Sequence, residues 1–204
     1  MKATIQFSDT DDLLDIRYDN VFKAVFTKDT PASKAALSDL ISALIGHKVK
    51  AVLVIANEPA ISDIHDRCIR FDIACKSETG QLINVEMSLE PDVYEKERLE
   101  FYAARLFTGQ DIHGTGKDYA DLKEAYQIAI LAKNRFFPDE VFLHSFEYYD
   151  PFNKIPLNGR SRIITLELSK LEEVVEKPVA QMSVQEYWAV YFRYLNLSPR
   201  LRTL

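Results

Sequence analysis

The sequence predicts an α/β chain: a mixed β-sheet flanked by helices. Three observations predict it. Residues 70–89, RFDIACKSETGQLINVEMSL, alternate apolar and polar side chains on both sides of a polar turn, a hairpin signal. Further runs rich in β-formers follow at residues 125–132, 141–149 and 162–168. Helical periodicity recurs before, between and after them, in the order α-α-β-β-β-α-β-β-β-α, which fits a sheet covered by helices.

The elements follow in chain order. Residues 15–26 read as a short amphipathic helix with Val21, Phe22, Val25 and Phe26 on one side. Thr30-Pro31 opens the next helix, with Pro just inside its start. Ala35, Leu37, Leu40, Ile41, Leu44 and Ile45 form its apolar stripe, and Gly46 ends it. Residues 48–56, KVKAVLVIA, read as a buried strand, and 57–67, carrying Pro59, as a loop. His65 and Asp66 are adjacent there and point opposite ways on an extended chain, so they are not read as a dyad.

After the hairpin, Pro91-Asp92 starts a long helix to about Gly109, with Tyr94, Arg98, Phe101, Tyr102, Arg105 and Leu106 at helical spacing. Residues 109–117 do not form a phosphate loop, because Thr115 stands where that motif needs Lys and the segment follows a helix. They read as a turn-rich loop, as do residues 151–159. Residues 183–195 form an aromatic helix opened by a capping box of Ser183 and Glu186.

The hairpin holds the chemistry. With Lys76 facing Leu82 across the turn, Asp72 stands opposite Glu86, and both carboxylates point to one face. Like charges in that position repel. Such a pair persists with a cation or a proton between its members, and Mg²⁺ takes carboxylate oxygens while leaving positions for water and phosphate. The alternative is that both acids line the solvated face of an antiparallel sheet.

The 204 residues fit one domain, with a core at about 15–150 and a strand-rich and helical extension at about 151–204. Hydrophobic residues are 47% and charged residues 27% of the chain, enough to bury a core. No apolar run approaches the ~20 residues of a membrane span, and the acidic N-terminus lacks a signal-peptide pattern. The expected location is cytoplasmic. Cys68 and Cys75 have no C-x-x-C partner and read as buried, reduced thiols. A net charge of −6 argues against strong non-specific binding to nucleic acid.

The string D-x(13)-E-x-S at Asp72, Glu86 and Ser88 resembles the core of the PD-(D/E)xK nuclease superfamily. More closely, DNVFKAVF at 19–26, the hairpin, ERLEFYAARLF at 97–107 and YADLKEAYQIAIL at 119–131 resemble the recombination-promoting nuclease / putative transposase family. Their order and spacing cover about the first two-thirds of the chain. Members often run longer, which implies a short homologue or a shortened chain. The resemblance implies a restriction-endonuclease-like core and hydrolysis of DNA phosphodiesters with Mg²⁺ or Mn²⁺. It implies Asp72, Glu86 and the carbonyl of Met87 as metal ligands. Ser88 stands where the family carries Gln and the wider superfamily Lys.

Asp19 occupies the family's D-x-x-F-K position and would join the metal site or simply favour the helix dipole. Lys23, Arg98 and Arg105 would hold phosphate, with solvated lysine and intrahelical arginine pairs as the alternatives. Gln127 would supply the missing amide if its side chain faces the carboxylates. DNA is the expected partner, a homodimer the assembly considered. Two other functions stand beside the enzyme: a catalytically degenerate nuclease fold serving as a DNA- or protein-binding module, and an unrelated acidic α/β binding domain.

Overall fold

The computed structural model describes residues 14–50, 53–55, 71–112 and 116–194. His65, Asp66 and Cys68 lie outside them, as do positions 113–115 of the predicted loop.

The first elements among the described residues are two helices, α1 (Asp19–Thr27) and α2 (Pro31–Ile45). Thr30 caps α2 by accepting from the Ser33 amide at 3.2 Å, and Gly46 ends it at φ 86°, a left-handed conformation that a glycine adopts without strain. The strands β1 (Leu53–Val54), β2 (Ile73–Lys76) and β3 (Leu82–Ser88) follow, then α3 (Glu95–Thr108) and β4 (Ala125–Leu131). Next come β5 (Leu143–Phe146), the ribbon strands β6 (Tyr149–Asp150) and β7 (Ile155–Pro156), β8 (Ser161–Glu167), α4 (Glu172–Val175) and α5 (Val184–Tyr194).

Among the described residues the main sheet has six strands in the order β1-β2-β3-β4-β8-β5. Parallel β3, β4 and β8 form its centre, with antiparallel β2 and β1 on one side and antiparallel β5 on the other. Every residue of β4 is buried, as expected of a central parallel strand covered on both faces. α3 links β3 to β4 and packs its Leu99 against Ala129 and Leu131 on one face of the sheet. The opposite face packs Ile73, Cys75, Ile83 and Val85 against α1, α2 and α5. There Phe22, Phe26, Trp188 and Phe192 form one aromatic cluster, with ring centroids 5.1–6.2 Å apart. The Ser183–Glu186 capping box is present: the Glu186 amide donates to Ser183 Oγ at 3.2 Å, and the Ser183 amide to Glu186 Oε2 at 2.8 Å.

Several expectations change. The predicted strand at 141–149 breaks after Phe146, and the predicted loop at 151–159 closes the small ribbon of β6 and β7. No element is predicted at residues 172–175, where α4 forms with Glu172 and Glu173 in its first turn. On α3, Leu106 of the residues at helical spacing is buried but Tyr94 and Phe101 are exposed; Glu95, Leu99 and Ala103 complete the buried stripe. β8 and α5, both beyond residue 150, lie in the central sheet and the main core.

Candidate active site

The β2–β3 hairpin pairs Lys76 with Leu82 and Ile73 with Val85. One step further along that register stands Asp72, opposite Glu86. Asp72 Oδ2 accepts from the Met87 amide at 3.2 Å, which ties its side chain to the end of β3. Its Oδ1 lies 3.2 Å from Lys23 Nζ, which also meets Asp19 Oδ1 at 2.6 Å. Burial lowers the Lys23 pKa, but the two aspartates outweigh it and hold the ammonium above its ordinary value.

Glu86 is only 4% exposed. Burial pushes its carboxyl up to about 7, from an ordinary value of 4.5. The Arg98 guanidinium and the Asn84 amide pull it down, whereas the charges of Asp72 and Glu95 push it further up. Its Oε2 is buried with no hydrogen-bond partner. The repulsion expected between Asp72 and Glu86 is therefore relieved in two ways: Lys23 neutralises Asp72, and Glu86 tends to keep its proton.

Glu86 belongs to a line of buried polar groups. Alternation along β3 puts Asn84, Glu86 and Ser88 on one face, under α3. Asn84 donates from Nδ2 to Gln127 Oε1 at 2.8 Å, with both residues fully buried and paired across β3 and β4. Ser88 Oγ donates to Glu95 Oε2 at 3.3 Å, and Arg98 donates to Glu95 Oε1 at 2.6 Å.

The structure thus gathers Asp72, Glu86, Ser88, Met87, Asp19, Lys23 and Arg98 at one end of β3, and Gln127 on the same face, hydrogen-bonded to Asn84. Met87 presents its amide to Asp72. Arg98 pairs with the helix acid Glu95 and lies over Tyr102, its guanidinium carbon 6.0 Å from the ring centroid. Arg105 lies two turns further along α3, half-buried, and makes no ion pair among the described residues.

Sequence reasoning missed Glu95 and the part played by Asn84. Asn84 had a signal, since it shares the alternating face of Glu86. Glu95 had none: an acid in the first turn of a helix ordinarily sits in solvent near the helix dipole, and only tertiary packing buries it.

No group of three or more His, Cys, Asp or Glu side chains among the described residues is arranged to hold a metal ion. Mg²⁺ does not require one, because it is commonly held by one or two carboxylates plus water and substrate phosphate. Two neighbouring carboxylates, one with a buried unpartnered oxygen, fit that donor set.

A family model described as PD-(D/E)XK nuclease family transposase matches residues 16–197. The chain belongs to this family. The match extends past the first two-thirds of the sequence to include β8 and α5. The mixed sheet flanked by helices is consistent with the restriction-endonuclease-like fold of PD-(D/E)XK nucleases. These nucleases generally use divalent metals, and the family points to DNA as substrate. No curated protein and no solved structure matches the chain. Among the described residues no helix is long and apolar enough to cross a membrane.

Proposed function

We propose that this chain is a divalent-metal-dependent DNA endonuclease whose reaction centre is the Asp72–Glu86 pair. The observation that carries this reading is Glu86: a buried carboxyl raised to about 7, with one oxygen unpartnered, beside a second carboxylate. Burying such a group without a partner is costly, and a bound cation would remove the cost.

Asp72 and Glu86 would hold Mg²⁺ or Mn²⁺, with the Met87 carbonyl as a further oxygen. When bound, the ion polarises the scissile phosphate and lowers the pKa of a coordinated water. The chain's own groups do the rest. The Met87 amide fixes the Asp72 side chain, and Asn84, anchored on Gln127, stands beside Glu86. Ser88 donates its hydroxyl proton to Glu95, so its oxygen would meet a water only as an acceptor. Lys23, at the edge of the pair and held fully charged by Asp19 and Asp72, is the cation we assign to the phosphate. It would do the electrostatic work that a Lys or Gln at position 88 does elsewhere in the superfamily. Arg98 holds Glu95 and tempers the field at Glu86.

The Ser88–Glu95 hydrogen bond also favours a second reading, a degenerate nuclease fold that binds DNA or protein without cutting. Nicking of supercoiled plasmid in Mn²⁺ separates the two. The enzyme reading expects nicking by the wild type, none by Glu86→Gln, and faster nicking by Ser88→Gln. No nicking by folded wild type or by Ser88→Gln would leave the binding module.

A further inference from the structure

We propose that the cavity between α3 and the β8–β5 edge receives one unstacked nucleobase of the DNA strand whose backbone lies at Asp72 and Glu86. This rests on the nuclease reading above. The cavity has a volume of about 280 Å³, close to the lower end of small-ligand pockets. Phe136, Phe137, Phe146 and Tyr148 supply aromatic surface, and Leu99 and Ala103 of α3 supply the aliphatic side. The Phe137 and Phe146 centroids are 5.1 Å apart, and Phe136 and Phe137 5.0 Å. Aromatic faces of this kind stack on any base.

One polar atom in the cavity has no partner. Thr165 is fully buried, lines the cavity, and its Oγ1 makes no hydrogen bond. A hydroxyl both donates and accepts, so it can meet an edge group of any base. The rim carries Glu100 and Glu147 together with Lys96, whose ammonium lies 5.4 and 5.5 Å from the Phe137 and Phe136 centroids. The rim is balanced in charge, since Lys96 stands with Glu100 and Glu147 Oε2 lies 3.7 Å from Arg162 Nε, so it offers no net attraction to a phosphate and leaves the uncharged base as the part that enters.

The position matches a strand held at Glu86. Glu86, Ala129 and Thr165 form one cross-strand row on the α3 face of the sheet. Two strand spacings put the backbones of Glu86 and Thr165 roughly 10 Å apart. Lys96 and Leu99 line the cavity, while Glu95 and Arg98, their neighbours on α3, face Glu86.

The aromatic wall is held in place. Glu167 Oε2 accepts from the amides of Phe136 and Phe137 at 2.7 and 3.3 Å, and Lys170 Nζ meets Glu167 Oε1 at 2.7 Å. Both charged side chains are fully buried. An ion pair this deep is a poor source of stability compared with apolar packing; here it fixes two rings at the pocket.

The test uses fluorescence anisotropy of the full chain with labelled eight-nucleotide single strands in Ca²⁺. One strand is natural, and the other has the same sugar-phosphate chain without bases. Phe146 and Tyr148 are 40% and 59% exposed, so replacing both leaves the core intact. The expected result is wild-type binding of the natural strand about tenfold tighter than the base-free strand, with the preference reduced to about threefold or less in Phe146→Ala/Tyr148→Ala. Thr165→Val should also weaken it. Equal wild-type affinity for both strands, or full discrimination by the double variant, overturns the pocket and leaves the nuclease reading standing. Binding of neither strand, with no plasmid nicking, overturns both.

Discussion

Glu86 shapes the site because it is buried and its charge is only partly compensated. Its carboxyl titrates near 7 when folded and near 4.5 otherwise. Below about pH 4.5 it is protonated in both folded and unfolded chains. Between 4.5 and 7 the folded chain keeps a proton that the unfolded chain has released, so metal-free stability falls as pH rises through that window. The full effect is on the order of 3 kcal/mol. Glu86→Gln should therefore match the wild type near pH 4.5 and exceed it by about 2–3 kcal/mol above pH 7 in urea unfolding with chelator present. A difference that does not change with pH would contradict this account of Glu86. Metal ligation needs the ionised carboxylate, so Mn²⁺-dependent nicking should rise from pH 6 to pH 8. Lys23→Met should slow nicking by at least about tenfold, the scale of one well-placed charge; because it also removes the cation that neutralises Asp72, circular dichroism checks that the variant is folded. Nicking at the wild-type rate in Lys23→Met would remove Lys23 from the mechanism. The acid pair was legible in the sequence because a strand's period of two is rigid: once Lys76 faces Leu82, Asp72 must approach Glu86. The raised carboxyl was not, since it depends on α3 excluding water from that face.

At the scale of elements, β3 and β4 hold a polar seam inside an apolar sheet. Asn84→Ala would leave the Gln127 carboxamide buried without its partner, at a cost of about 1–3 kcal/mol. Gln127→Met added to Asn84→Ala should recover part of that loss, because the stranded amide is gone. A double-mutant cycle by denaturant unfolding checks it, and strictly additive losses would show that the pair does not act as a unit. The elements themselves were largely readable. Thr30-Pro31 and Gly46 bracket α2 by backbone constraint, and Ser183 with Glu186 opens α5 by local hydrogen bonds. α3 was read less well. Tyr94 and Phe101 recur at helical spacing, yet the sheet below it selects Leu99, Ala103 and Leu106, and spacing alone does not say which stripe meets a partner. The break after Phe146 is also tertiary, since residues 143–146 find a neighbour in β8 and residues 149–150 pair with β7 instead.

For the whole molecule the net charge of −6 limits how DNA can be held. A chain that grips the backbone through a few local cations, with Lys23 foremost, releases few counterions. The logarithm of its DNA association constant should fall with the logarithm of salt concentration at a slope of magnitude about 3 or less, at about 0.9 per neutralised phosphate. A slope of about 6 or steeper would place an extended basic surface elsewhere on the protein. The order of strands around β4 was not legible from the sequence, because the β4–β8 pairing joins segments separated by the β5 strand and the small ribbon. The central claim is that Asp72 and Glu86 together hold a divalent ion, and thermal melting across a Mn²⁺ series at pH 8 tests it most directly. An ion that binds only the folded chain raises the melting temperature with concentration. The account predicts such a rise for the wild type, a smaller one at pH 6, and none for Asp72→Asn or Glu86→Gln. No shift in the folded wild type at millimolar Mn²⁺, or an undiminished shift in both variants, would contradict it.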